Sequence, residues 1–265
     1  MGLLDQLNPA QRAAVTATEG PVLVLAGAGS GKTRVITYRI AYLLEQGKTR
    51  PEEILGVTFT NRAADEMRER VLRLVGSVRP PWTSTFHSFC ARILRREAEA
   101  ARLRRDFAIY DEEDRERLVR LLLKEIDLDE RIWSPRTVLE RISRAKNLWV
   151  PPADWAASAN PQERELAPVF ERYEQGLRAA GALDFDDLQL RVVQLFRACP
   201  EICRRYNQRF RYVQVDEYQD TNRPQYELVR LLTREHQNVC VVGDEDQSIY
   251  CLLYTSPSPR DRTRS

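Results

Sequence analysis

The chain lacks several features that define whole classes of protein. Its 265 residues contain no apolar run of about 18 residues, the length a helix needs to cross a bilayer, so no membrane span or membrane partner is predicted. The first 19 residues are polar and do not contain the apolar centre of a signal peptide. Charge of one sign is also missing, because 41 basic residues stand against 39 acidic ones. This balance argues against a protein that coats nucleic acid through an overall basic field.

Paired cysteines are absent as well. The five cysteines are scattered, and none belongs to a C-x-x-C pair: Cys90, Cys199, Cys203, Cys240 and Cys251. Neither a zinc site nor a disulfide framework is therefore predicted, and the scattered cysteines fit a reducing, cytoplasmic compartment best.

What the chain does contain is typical of a globular protein of one or two domains, at roughly 150 residues per domain. Hydrophobic residues make up 43% and charged residues 30%. Short apolar runs predict strands, and apolar residues spaced by three and four predict helices. Strands are expected at Pro21–Ala26, Ile54–Phe59, Trp82–Thr85, Tyr212–Val215 and Asn238–Val242, and helices at Arg34–Gln46, Asn61–Val75 and His87–Glu97. This alternation predicts an α/β fold with a parallel sheet.

The middle of the chain has a different pattern. Residues 106–182 are highly charged and read as helices at Asp111–Ile126, Ser134–Asn147 and Gln162–Ala180. We therefore expect a sheet domain in two parts, residues 1–105 and 183–250, interrupted by an all-helical insertion. The last segment, 251–265, is either a flexible tail or a non-native stretch resembling translated vector sequence. We favour the second reading and exclude the segment from the fold prediction.

A glycine-rich turn follows the first predicted strand. It matches the phosphate-binding pattern G-x-x-x-x-G-K-[ST], except that alanine occupies the first position: Ala26, Gly27, Ala28, Gly29, Ser30, Gly31, Lys32 and Thr33. Small residues let backbone amides approach phosphate oxygens, and the following helix directs its N-terminus at the same anion. Lys32 is expected to reach the β- and γ-phosphates and Thr33 to ligate Mg²⁺. A chance glycine-rich turn is the alternative, but the flanking strand and helix favour the P-loop.

Acidic residues follow two later strands. In VDEYQDT, Asp216 is placed to hold Mg²⁺ and Glu217 to act as general base for the attacking water, although a solvated acidic turn has the same composition. In VVGDEDQSIY, the neutral amide of Gln247 could sense a γ-phosphate, and an ordinary polar loop fits this stretch equally well.

Six stretches occur in an order that resembles one family. They are AGAGSGKT, VTFTNRAADEMRERV, STFHSFCARIL, LDFDDL, VDEYQDT and VVGDEDQSIY. Together they are similar to the superfamily-1 DNA helicases of the UvrD/PcrA/Rep type, over about residues 7–250. The resemblance implies a RecA-like P-loop NTPase domain whose helical insertion corresponds to the family's 1B subdomain.

The resemblance also implies roles for individual residues. Gln11 falls where the family recognises adenine, Gln247 where it couples the γ-phosphate to domain movement, and Arg39 where a basic residue of the P-loop helix approaches the nucleotide. Two segments match those that touch single-stranded DNA: Phe59, Thr60 and Asn61, and Thr85, Phe86 and His87. An aromatic ring with small hydroxyls can hold a base and a phosphate without reading sequence. For Phe59 and Phe86, packing in the core is the alternative.

The function implied is that of a 3′–5′ ATP-dependent DNA helicase in repair or replication. It would use ATP and Mg²⁺ and act on single-stranded DNA and single-strand/duplex junctions. In the family, SIY continues into a Trp-Arg pair and a second RecA-like domain, but here Cys251 follows Tyr250. That second domain is a partner that this sequence lacks. We therefore expect the chain to have little or no helicase activity alone, the alternative being a catalytically inert fragment that binds ATP and single-stranded DNA.

Overall fold

The computed structural model describes residues 2–27, 29–76 and 79–244. The expectations for Ala28, Gln247 and the segment 251–265 lie outside these described residues.

Five strands of the described structure form one parallel sheet, and two further strands form a separate pair. In chain order the strands are β1 (Val22–Leu25), β2 (Ile54–Thr58), β3 (Trp82–Thr85), β4 (Ala108–Ile109), β5 (Ala182–Leu183), β6 (Tyr212–Val215) and β7 (Val239–Gly243). The sheet has the order β1-β7-β6-β2-β3, and each neighbouring pair is parallel. This confirms the predicted α/β fold with a parallel sheet.

Helices connect the strands. They are α1 (Pro9–Thr16), α2 (Lys32–Glu45), α3 (Asn61–Val75), α4 (Phe86–Arg96), α5 (Glu112–Glu125), α6 (Pro135–Leu148), α7 (Pro152–Ala156), α8 (Pro161–Ala179), α9 (Phe185–Ala198), α10 (Pro200–Arg209) and α11 (Arg223–Thr233). Side-chain caps explain several of the starts. Thr60, for example, accepts a hydrogen bond from the amide of Ala63 and so begins α3, at the residue predicted from the sequence.

The sheet's core forms where α2 and α3 pack on its central strands. Ile36 and Ile40 of α2 and Met67 and Val71 of α3 are fully buried beside Tyr212. Every residue of β2 and β6 is buried, which explains why their sequences are continuous apolar runs rather than alternating ones. β1 lies at the sheet edge, and Leu23 and Leu25 are about half exposed there.

The chain divides into two compact units, Met1–Ser88 with Cys199–Ser265, and Phe89–Ala198. The expected insertion, residues 106–182, lies inside the second unit, which is longer at both ends. In this unit α5, α6 and α8 surround a core that includes Leu123, Ile142 and Phe170. A short parallel ladder between β4 and β5 accompanies the helices.

In the described part of the chain, no helix combines the length and the apolar character needed to cross a membrane.

Candidate nucleotide site and nucleic-acid interface

Three strands of the sheet end at one edge and bring the candidate nucleotide residues together. β1 leads into the glycine-rich turn, β6 into Asp216 and Glu217, and β7 into Asp244. Because β1, β7 and β6 are adjacent and parallel, their carboxyl ends meet. This edge is where open α/β sheets bind their ligands.

The glycine-rich turn is anchored to the sheet and then curls onto itself. The amide of Ala26 donates to the carbonyl of Gly243 at 3.0 Å, and the hydroxyl of Ser30 donates to the carbonyl of Gly27 at 2.6 Å. Gly29 and Gly31 have φ values of 74° and 88°, a region that favours glycine. Gly31 is the N-cap of α2, so the positive end of this helix faces the turn. The residues therefore form a cradle of the kind that binds phosphate.

Lys32 begins α2 and is 8% exposed. Its Nζ atom lies 3.4 Å from Oδ2 of Asp244 and 3.4 Å from Oε2 of Glu217. Two carboxylates thus share one ammonium, at distances longer than a tight charged hydrogen bond.

Thr33 and Asp216 provide the oxygen atoms expected for Mg²⁺. The Thr33 hydroxyl donates to Oδ2 of Asp216 at 3.0 Å, and Oδ1 of Asp216 accepts from the amide of Glu217. Burial raises the pKa of Asp216, and neighbouring Glu217 raises it further, while the Thr33 hydrogen bond opposes the shift. Within the described residues no group of three or more His, Cys, Asp or Glu side chains is arranged to hold a metal. This still fits Mg²⁺, which is commonly held by one or two carboxylates together with substrate phosphates.

Glu217 occupies a left-handed backbone conformation, with φ 51° and ψ 44°, directly after Asp216. Such a conformation is uncommon for a residue other than glycine and is often found at functional sites. The side chain is 40% exposed, so it can reach solvent, and Gln219 donates to its Oε2 at 2.7 Å. The Glu217 carboxylate is therefore bonded to Gln219 and lies 3.4 Å from the Lys32 Nζ.

Gln11 lies beside the glycine-rich turn, as expected for a residue near the nucleotide. It is the third residue of α1, where its Oε1 accepts from the amide of Asn8 and its Nε2 donates to the carbonyl of Ser30 at 3.0 Å. A Cβ atom at Gly31 would lie 3.0 Å from the Gln11 Nε2, which leaves little room for any larger residue.

Arg39 does not fit the expectation that it approaches the nucleotide. It is 0% exposed, and its guanidinium donates to the carbonyls of Ala14, Ala17 and Thr18 at the end of α1. Its N–H groups thus donate to backbone carbonyls of the same chain. The expectation for Arg39 came from the family resemblance alone, and in the structure α1 covers the side of α2 that carries this residue.

The residues expected to touch single-stranded DNA follow β2 and β3 at the same edge of the sheet. Thr60 and Asn61 are exposed at the start of α3, whereas Phe59 and His87 are half-buried. Asp216 and β2 are directly linked, because the amide of Asp216 donates to the carbonyl of Val57 at 3.0 Å. The candidate nucleotide and DNA residues therefore lie on adjacent strands.

Two of these six residues are placed differently from the expectation. Phe86 is 2% exposed and packs edge-to-face against Phe59, with ring centroids 5.8 Å apart, so its ring has no face available for a base. Thr85 is 6% exposed, and its hydroxyl is engaged with both the amide and the hydroxyl of Ser88. The alternative of core packing is correct for Phe86, because its side chain lies beneath the half-buried Phe59.

The sequence did not single out Gln219 or assign a role to Asp244, yet both lie at the centre of this site. Gln219 is 5% exposed and Asp244 is 3% exposed. For each of them, the sequence shows a polar residue shortly after a predicted strand. What the sequence does not contain is the distance between them, because they are 25 residues apart in the chain and meet through adjacent strands.

Comparison with known proteins gives a consistent result. The family model described as the UvrD/REP helicase N-terminal domain matches residues 7–256. Proteins named ATP-dependent DNA helicase PcrA from Staphylococcus aureus, Bacillus subtilis and Staphylococcus epidermidis are each 47% identical over 250 residues. These alignments cover 94% of this chain and 34% of each relative, so the chain spans about a third of the length of these relatives.

Proposed function

Because the chain belongs to the UvrD/REP helicase N-terminal domain family, we propose that it is the ATP-binding part of an ATP-dependent DNA helicase. The observation that carries this proposal is the convergence of Lys32, Thr33, Asp216 and Glu217 at one end of a parallel sheet. These four side chains match, in type and arrangement, the parts that phosphoryl transfer requires.

Nucleotide binding follows from the chemistry of the cradle. The amides of the glycine-rich turn and the N-terminus of α2 attract phosphate oxygens, and Lys32 binds the β- and γ-phosphates. Lys32 is shared between Asp244 and Glu217 at 3.4 Å each, so a phosphate oxygen competes with both carboxylates for the ammonium. Gln11 completes the site on the base side of the nucleotide.

Thr33 and Asp216 would hold Mg²⁺ through one hydroxyl and one carboxylate oxygen. A Mg²⁺ ion held there would supply positive charge that offsets the negative charge developing during phosphoryl transfer. The raised pKa of Asp216 falls when a cation is nearby, because a positive charge favours the carboxylate.

Glu217 acts as the general base in this proposal. Its carboxylate is partly exposed, so it can accept a hydrogen bond from a water molecule. It would take a proton from that water as the water oxygen attacks the γ-phosphorus and the bond from this phosphorus to the β–γ bridging oxygen breaks, with ADP as the leaving group. Asp216 is buried and bonded to Thr33, which leaves Glu217 as the acidic neighbour able to contact the solvent.

DNA binding belongs to the end of β2. Thr60 and Asn61 are exposed for contact with a backbone phosphate, and Phe59 presents a half-buried ring. The hydrogen bond from the Asp216 amide to the Val57 carbonyl connects the two sites. A shift of the turn at Asp216 would therefore displace the strand that leads to Phe59. We further propose that the substrates are single-stranded DNA and its junctions with duplex. Translocation is 3′–5′ and takes place in the cytoplasm during repair or replication.

The first test is the substitution Lys32→Ala. It removes the ammonium that binds phosphate, so ATP affinity should fall by about 100-fold, as titration with a fluorescent ATP analogue in the presence of Mg²⁺ would show. The circular dichroism spectrum should not change. Lys124→Ala, which alters an exposed lysine of α5, serves as the matched control and should bind ATP as the unsubstituted chain does. Equal affinity in the Lys32 and Lys124 variants would refute the nucleotide assignment.

A further inference from the structure

Gln219 joins the ends of β6 and β7. It lies in the short 3-10 turn Tyr218–Asp220 and is 5% exposed. Its Nε2 donates to Oε2 of Glu217 at 2.7 Å, and its Oε1 accepts from the amide of Asp244 at 3.0 Å. The orientation of this side-chain amide is determined by its partners, because a backbone amide only donates and a carboxylate only accepts.

The surroundings leave Gln219 little freedom to move. A Cβ atom at Gly243 would lie 2.9 Å from the Gln219 Oε1 and 3.3 Å from its backbone nitrogen, so glycine at this position allows the close approach of Gln219. The turn itself is closed by the bond from the Asp220 amide to the Glu217 carbonyl at 3.0 Å. The Thr221 hydroxyl also donates to the Tyr218 carbonyl at 2.7 Å. Gln219 is therefore a rigid support rather than an adaptable surface side chain.

Gln219 and Lys32 bind the same oxygen atom of Glu217. Oε2 lies 2.7 Å from the Gln219 Nε2 and 3.4 Å from the Lys32 Nζ. Charged hydrogen bonds in proteins are typically about 2.7–2.9 Å long, so the contact with Gln219 is a full bond, whereas that with Lys32 is a loose pair. Without the Gln219 donor, the negative charge on Oε2 would be balanced mainly by Lys32.

We infer that Gln219 is a positioning residue that holds the Glu217 carboxylate away from the Lys32 ammonium. This keeps Lys32 available for the phosphates of the nucleotide and keeps Glu217 directed at the water it activates. The inference rests on the proposed function, because it assigns Lys32 to phosphate and Glu217 to the general base. It goes beyond that proposal in giving a specific role to Gln219, whose side chain is bonded to Glu217 and to the amide of Asp244.

The test is a set of substitutions in the 265-residue chain, with affinity measured by titration of a fluorescent ATP analogue with Mg²⁺. A methionine side chain is nearly as long as a glutamine side chain but forms neither hydrogen bond. In Gln219→Met, Glu217 should therefore move closer to Lys32, and ATP affinity should fall about tenfold. Adding Glu217→Gln removes the competing charge. The double variant should therefore bind ATP as the Glu217→Gln variant does.

A matched control is available on the same strand. Gln214 of β6 is 0% exposed, and its side chain has no hydrogen-bond partner among the described residues. Gln214→Met therefore makes the same chemical change in an equally buried position without altering Glu217, and its ATP affinity should equal that of the unsubstituted chain.

Gln219→Glu covers the case in which Gln219→Met does not fold, as checked by circular dichroism. It keeps an acceptor for the Asp244 amide but replaces the donor with a second negative charge, so the same loss and the same rescue by Glu217→Gln are expected. An unchanged affinity in the folded variant overturns the inference. A loss that persists in the Glu217→Gln background also overturns it, because Gln219 would then be merely structural. If Lys32→Ala leaves ATP binding intact, the proposed nucleotide site itself is wrong, a result distinct from either of these.

Discussion

At the scale of single residues, Arg39 shows how one side chain can attach one helix to another. It is the largest of the fully buried side chains in the described structure, and its guanidinium reaches three carbonyls of α1 and the residues that follow it. Burial lowers the pKa of Arg39, but an arginine stays charged in proteins. The side chain thus attaches α1, which carries Gln11, to α2, which begins with Lys32. A cation on the nucleotide helix can therefore be structural.

We predict that Arg39→Met lowers the free energy of unfolding by about 3 kcal/mol, because three carbonyls lose the charged donor of a fully buried side chain. Urea denaturation followed by circular dichroism measures the change. Arg136→Met, at an exposed position of α6, is the control and should change stability by less than about 0.5 kcal/mol. A loss no greater than the control's would show that α1 is held by its apolar contacts alone.

At the scale of elements, the second unit contains a buried ionic cluster assembled from several helices. The Nζ atom of Lys146 on α6 lies 2.8 Å from Asp184, 2.9 Å from Asp187 and 2.7 Å from Glu174 of α8. Arg115 of α5 approaches Asp184 from another side. The LDFDDL stretch contributes the aspartates, whose role in holding helices together could not be read from their order in the sequence.

The pKa values of two acidic groups in this cluster shift in opposite directions. Although burial opposes it, Lys146 and Arg115 hold the pKa of Asp184 below its usual range. Burial, together with the charge of Asp184, raises the pKa of Asp187 to about 7. Folding therefore binds a proton at Asp187 between about pH 4 and pH 7. The stability associated with that proton is complete below pH 4 and is lost as pH rises through 7.

Asp187→Asn should remove this dependence. The free energy of unfolding of the variant minus that of the unsubstituted chain should be larger at pH 8 than at pH 5, by on the order of 1–3 kcal/mol. Urea denaturation at the two pH values measures the difference. Asp154→Asn, at an exposed position of α7, should show no such trend. If the two variants respond alike, the proton is not bound at Asp187.

At the scale of the whole molecule, net charge does not favour the DNA binding proposed above. The segment 251–265 contains three arginines and one aspartate, so residues 1–250 carry no net charge. The proposed binding therefore depends on local contacts, for which Thr60 and Asn61 are exposed candidates.

The 265-residue polypeptide should hydrolyse ATP slowly and should not displace a DNA strand. It spans about a third of the length of its PcrA relatives, and arginine fingers supplied from elsewhere contribute about 10³–10⁵ in rate to related phosphoryl transfer. A DNA-stimulated ATPase assay with a strand-displacement readout measures both activities. Robust unwinding by these 265 residues would contradict the prediction. ATP and single-stranded DNA binding without any turnover would favour the inert binding alternative.

Interactions within a few residues explain what could be predicted from the sequence. The strand Trp82–Thr85 and the helix Asn61–Val75 have the bounds that apolar periodicity and caps predict. The motif order identifies the family, since the GKT turn and the DE pair each consist of neighbouring residues. The burial of Arg39 and Phe86 and the position of Gln219 between Glu217 and Asp244 are visible only in the folded structure. These contacts join separate elements, so the packing of those elements on the sheet determines which side chains meet and which remain exposed to a ligand.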